Sequence, residues 1–155
     1  MTLWNWAVAA YARPGVSEAC LELQDVGGQN VCLLLWAAWA AQTGRALDDD
    51  ARADACDVAR AWEDAAVAPL RAVRRRLKGR ILDMDDAARQ AVRDQVKAVE
   101  LVAERHLLAA LEAASRPADE RRTTPVADAL AAVCRDWSGT APRALLTTLI
   151  DRLSA

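Results

Sequence analysis

The segment PLRAVRRRLKGR, residues 69–80, groups cations in a pattern that could hold an anion. On a helix advancing 100° per residue, Arg71, Arg74, Arg75 and Lys78 fall within about 100° of arc. They lie beside an apolar arc of Leu70, Val73 and Leu77, while Arg76 and Arg80 point away. Such a stripe suits an acidic protein surface first, and RNA or a phosphorylated small molecule second. The competing reading is structural: cations near a helix C-terminus complement its dipole, and the acids of 48–64 or 83–86 could neutralise them.

A second polar constellation surrounds the turn at Gly27 and Gly28, where Gln24, Asp25, Gln29 and Asn30 bring two kinds of group, amide and carboxylate, to a flexible backbone. Such groups could orient a small polar ligand or a partner's backbone. Equally, they could satisfy the orphan N–H and C=O groups of two helix ends, and Asn30 has the form of an N-cap. Six tryptophans in a chain without Phe are the third feature. Trp36, Trp39 and Trp62 sit in apolar stripes and read as core. Trp4 and Trp6, two residues apart, lie about 200° apart on a helix, which leaves one of them as an exposed anchor for a partner.

Reactive groups are sparse. His106 is the single histidine and lies on an apolar helical face with no nucleophile paired to it by spacing, so no catalytic residue is assigned. Cys20, Cys32, Cys56 and Cys134 form no CxxC pair, which suggests reduced thiols rather than a zinc site or a disulfide framework. Asp48, Asp49 and Asp50, like Asp83, Asp85 and Asp86, superficially resemble a magnesium site, but as helix starts they are explained by the helix dipole. No metal and no cofactor is expected.

These side chains must be positioned by helices. Ala, Leu, Arg and Asp dominate, and no segment alternates at period two. A first helix carries Leu3, Trp4, Ala7 and Tyr11, and a second carries Val16, Ala19, Cys20 and Leu23 between Gly15 and Gly27. The run from Val31 to Ala41 is apolar on every face, the mark of a helix buried at the centre of a bundle. A long helix follows Asp48–Asp50, with one stripe from Ala55 through Val58, Trp62 and Ala66 to Leu70, Val73 and Leu77, kinked by Pro69. The longest runs from Asp85 to Ser115, with a main stripe of Val92, Val96, Val99, Ala103, Leu107 and Leu111. Leu101 and Leu108 stand outside that stripe and would suit a homodimer. Residues 115–124 read as a flexible loop, and two further helices, the first beginning at Pro125, close the bundle. The expected fold is all-α: one domain, 1–155, of six or seven helices around the central apolar one.

With 22 acidic and 20 basic residues, the chain has no overall bias toward nucleic acid, and any such binding is local. The amino terminus lacks the basic start of a secretory leader and the apolar run is too short to span a bilayer, so a cytoplasmic protein is expected.

The segments LWNWA, YARPGV, ACLELQD, GGQNVCLLLWAAW and PLRAVRRRLK together resemble a small all-helical proteobacterial family of conserved hypothetical proteins, classed as a domain of unknown function. The resemblance is densest from Leu3 to Lys78. It implies a helical cytoplasmic protein and supplies no activity and no catalytic residues. Function is therefore read from the residues: a non-catalytic binding or regulatory module engaging an acidic partner through Arg71, Arg74, Arg75 and Lys78, with Gln24, Asp25, Asn30, Trp4 and Trp6 alongside. The alternative is a small enzyme or ligand-binding protein that takes an anionic small molecule in a Trp-lined pocket between helices.

Overall fold

The computed structural model describes residues 1–119 and 123–155. Side-chain caps set the starts of four helices: Thr2 accepts from the Asn5 N–H at 3.2 Å, Asn30 from Leu33 at 2.9 Å, Asp48 from Ala51 at 2.9 Å and Asp85 from Ala88 at 2.8 Å. The elements are α1 (Leu3–Tyr11), α2 (Val16–Asp25), α3 (Val31–Gln42), α4 (Asp49–Trp62), a π turn (Glu63–Val67), α5 (Ala68–Arg76), α6 (Asp86–Ala114), α7 (Val126–Ser138) and α8 (Arg143–Ser154). Since α4, the π turn and α5 run on without a break, the described residues form an all-α bundle of seven rods.

Helix α3 is the centre. Every residue from Cys32 to Ala40 is buried, and α1, α2, α4, α6 and α7 all pack on it. Helix α7 covers it most extensively through Ala129, Leu130, Val133 and Cys134, and α8 adds Leu146, Leu149 and Leu153 to the same core. Buried indoles keep their N–H groups bonded: Trp36 donates to Ser115 Oγ at 2.8 Å and Trp39 to the Met1 carbonyl at 3.4 Å.

Gly15 opens α2 at φ 80°, a left-handed conformation that favours glycine, while the neighbour a Cβ would meet, the Arg152 side chain of α8 at 2.8 Å, is flexible enough to move aside. Gln29 clasps two turns together, its amide donating to Ser138 Oγ at 2.8 Å and the Gly27 carbonyl at 2.9 Å. Part of the loop expected over 115–124 is tied down: Ala46 N–H bonds the Arg116 carbonyl and Ala118 N–H bonds that of Gly44, both at 2.9 Å. Residues 120–122 lie outside the described residues.

Two expected faces are placed differently. The π turn precedes Pro69, which has no N–H to donate into the helix ladder, and it adds one residue to the turn. The inward face therefore moves to Val67, Arg71 and Arg74, and Val73 is 45% exposed. In α6, no residue before Glu100 is buried, and Val92 and Val99 stand more than half exposed; that half is tied to the end of α5 and the turn after it by Arg93, which donates to the Arg74 carbonyl at 3.3 Å, and Arg89, which donates to the Gly79 carbonyl at 2.8 Å. Leu108 is buried although Leu101, two turns earlier on the same face, is exposed: the bundle covers only the second half of α6.

All four cysteines are free and buried. Burial pushes the Cys20 and Cys134 thiols up to about 12 and raises Cys32 and Cys56 as well. The native protein at pH 8 is expected to react with a thiol reagent at none of them on a timescale of minutes, and at all four in denaturant; fast native labelling would contradict this placement.

Candidate functional site

Helices α1, α2, α3, α5 and α6 enclose a groove of about 470 Å³. Its walls are apolar: Trp4, Val8 and Tyr11 come from α1, Leu21 from α2, Val31, Cys32 and Leu35 from α3, and Leu101 and Leu108 from α6. The polar groups are Gln24, Arg74, Lys97, Glu100 and Glu104. Val8, Leu21 and Leu101 are each about half exposed, so the groove opens to solvent along an apolar rim.

Behind the α5 and α6 wall lies an ion network. Arg71 donates to Glu63 Oε1 at 3.0 Å and its Nε stands 3.6 Å from Glu100 Oε1. Arg74 grips Glu100 through Nε at 2.5 Å and a second nitrogen at 3.3 Å, a bond that raises the Arg74 guanidinium further. Asn30, besides capping α3, donates to Glu63 Oε2 at 3.1 Å. Asp25 pairs with Arg75 on the surface and Gln24 donates to Asp25 at 3.3 Å.

The residues singled out in the sequence are thus brought partly together. Trp4, Gln24 and Arg74 share the groove, and Asn30 and Arg71 stand in the network behind it. Asp25 and Arg75 lie outside, Lys78 is exposed, and Trp6 faces Gln42, to which its indole donates at 3.0 Å. Trp62 packs against the edge of the core, partly buried, and stacks on His106 at 6.0 Å. Arg105 lies over Trp4 at 5.0 Å and Arg60 over Trp137 at 4.2 Å, which places these indoles under cations rather than open to solvent.

Glu63, Glu100 and Glu104 carry the site's negative charge and were not read from the sequence. A signal existed. Glu100 and Glu104 are four apart and interrupt the apolar pattern of α6 on the face that continues to Leu107, and they match Arg71 and Arg74, three apart, on the neighbouring helix.

Glu104 is half-buried, and its carboxyl is raised above its ordinary value, first by burial and then by the Glu100 charge, against the opposing pull of Arg71 and Arg74. The folded chain therefore holds a proton there more tightly than the unfolded chain does. That contribution is complete below the unfolded value and is lost as pH rises through the raised one. Glu104→Gln is expected to melt above wild type at pH 8, with the gap closing as the pH falls toward the ordinary carboxylate range. A lower melting point at pH 8 would show that the carboxylate is satisfied.

Among the described residues no helix is long and apolar enough to cross a membrane, and no group of three or more His, Cys, Asp or Glu residues could hold a metal ion. The fold and its groove define the class: an all-helical bundle with an apolar cleft backed by ion pairs. The chain belongs to the family of proteins of unknown function designated DUF2390, which matches residues 2–111. No curated protein and no solved structure matches it.

Proposed function

We propose that this protein is a non-catalytic binding protein of the reducing cytoplasm, and that its ligand is a small molecule with an apolar body held in the groove. The observation that carries this reading is convergence: large apolar side chains left exposed on three helices, Val8, Leu21 and Leu101, border one cavity whose volume is that of a small-molecule site. Cys32, the thiol in its wall, is held protonated by burial, and His106 is taken up by Trp62, so neither supplies a nucleophile or base to the groove. Four free thiols suit a reducing compartment.

The arginine stripe enters this reading as scaffold. Arg71 and Arg74 are occupied by Glu63 and Glu100, and Arg75 pairs with Asp25 at the surface, so among the described residues an acidic protein or RNA would meet only Lys78 of the four cations without a carboxylate partner. The test is a methyl-detected NMR titration with n-octanol, a neutral apolar probe. Saturable shifts are expected at Val8, Leu21, Leu101 and Leu108, and are expected to vanish in Leu101→Asp, where a charge is placed on an exposed wall position. Shifts scattered over the surface, or none, would overturn the reading.

A further inference from the structure

Counting the groove and the network behind it together, three carboxylates, Glu63, Glu100 and Glu104, stand near two guanidiniums, Arg71 and Arg74. Arg71 and Arg74 hold Glu63 and Glu100, whereas Glu104, one turn beyond Glu100 and lining the cavity, has no hydrogen bond or ion pair among the described residues. Other cations are not in place to answer it. Lys97, which lines the groove at its exposed end, sits on the same helix two turns away, about 10 Å along the axis, and Arg105 is drawn over the Trp4 ring. From the other elements, Tyr11 of α1, Gln24 of α2 and Cys32 of α3 face the same cavity and bring no positive charge, and Arg74 of α5, which lines it too and pulls on Glu104 through space, spends its hydrogen bonds on Glu100.

A half-buried carboxylate beside two others is a poor neighbour for a second anion and a good one for a cation with hydrogens to donate. We propose that the groove selects a primary alkylammonium, with the ammonium on Glu104 and the aliphatic chain along Leu21, Leu101 and Leu108. This rests on the groove being the ligand site. It reverses the sign of ligand expected from the arginine stripe alone, because the chain's own carboxylates have consumed the positive charge of Arg71 and Arg74. The raised carboxyl of Glu104 is consistent with a group that its own fold leaves unsatisfied.

The experiment compares n-octylammonium, n-octanol and n-octanoate, titrated into the full chain at pH 8. The ammonium is expected to bind on the order of tenfold more tightly than the alcohol, as one charge-assisted hydrogen bond allows, with the carboxylate weakest. In Glu104→Gln the ammonium should lose that advantage while octanol affinity holds, in a variant that melts no lower than wild type. Equal affinity for octanol and octylammonium, a preference for octanoate, or an ammonium preference that survives Glu104→Gln would overturn this proposal and leave the groove as a site. Failure of both octanol and octylammonium to bind would overturn the groove reading itself.

Discussion

A chain ending after Ser115 is expected to lose cooperative folding, even though it retains the whole family-matched region, residues 2–111. The cut removes α7 and α8, and with them four buried leucines: Leu130, Leu146, Leu149 and Leu153. Full burial of one such side chain contributes about 1.5–3 kcal/mol, so these four alone approach the ~5–15 kcal/mol that separates a folded chain from an unfolded one. The loss is felt at the centre, since α7 is the chief cover of α3, whose flank would be opened to water. Near-ultraviolet circular dichroism and a urea melt are the measurements. Flat tertiary signal and a shallow, non-cooperative transition are expected; a sharp transition with the wild-type spectrum would show that residues 1–115 fold alone.

The ion network should dominate the point substitutions. Glu100→Ala leaves the Arg71 guanidinium with Glu63 alone and the Arg74 guanidinium with no contact acid among the described residues, and removing one partner from a buried pair costs about 3–5 kcal/mol. Partial exposure of Arg74, 22% at its side chain, puts the expectation toward the lower end. Arg71→Ala and Arg74→Ala should each destabilise markedly, in that they strand a carboxylate, whereas Arg75→Ala, which breaks a half-exposed pair with Asp25, should change stability by less than about 1 kcal/mol. Chemical denaturation of the four variants decides this. Similar small losses for all would show that the network is a solvated surface feature.

What was legible in the sequence was local. The cap at Asn30 and the acidic helix starts at 48–50 and 83–86 were readable because both signals lie within one turn, and the central position of α3 because no face of it offers water a polar side chain. The groove was less so. Trp4, Gln24 and Arg74 were singled out separately, but their meeting depends on how α1, α2 and α5 pack around α6, which no single segment encodes. The exposed half of α6 was missed because Val92, Val96 and Val99 keep helical spacing whether or not another helix covers them. Glu100 and Glu104 were passed over because each is an ordinary surface residue until Arg71 and Arg74 face it.

Those two arginines face inward because of the π turn, and the consequence concerns chain length. A single residue turns a helix by about 100°, so deleting one residue within 63–67 to restore regular winding would swing the downstream rod by that angle. Arg71 and Arg74 would be carried away from Glu100 although no charged residue had been changed. The wall of the groove is thus specified by a count of residues as much as by their kinds, and a relative with the same arginines but one residue fewer between Trp62 and Pro69 would present a different surface to the same cleft.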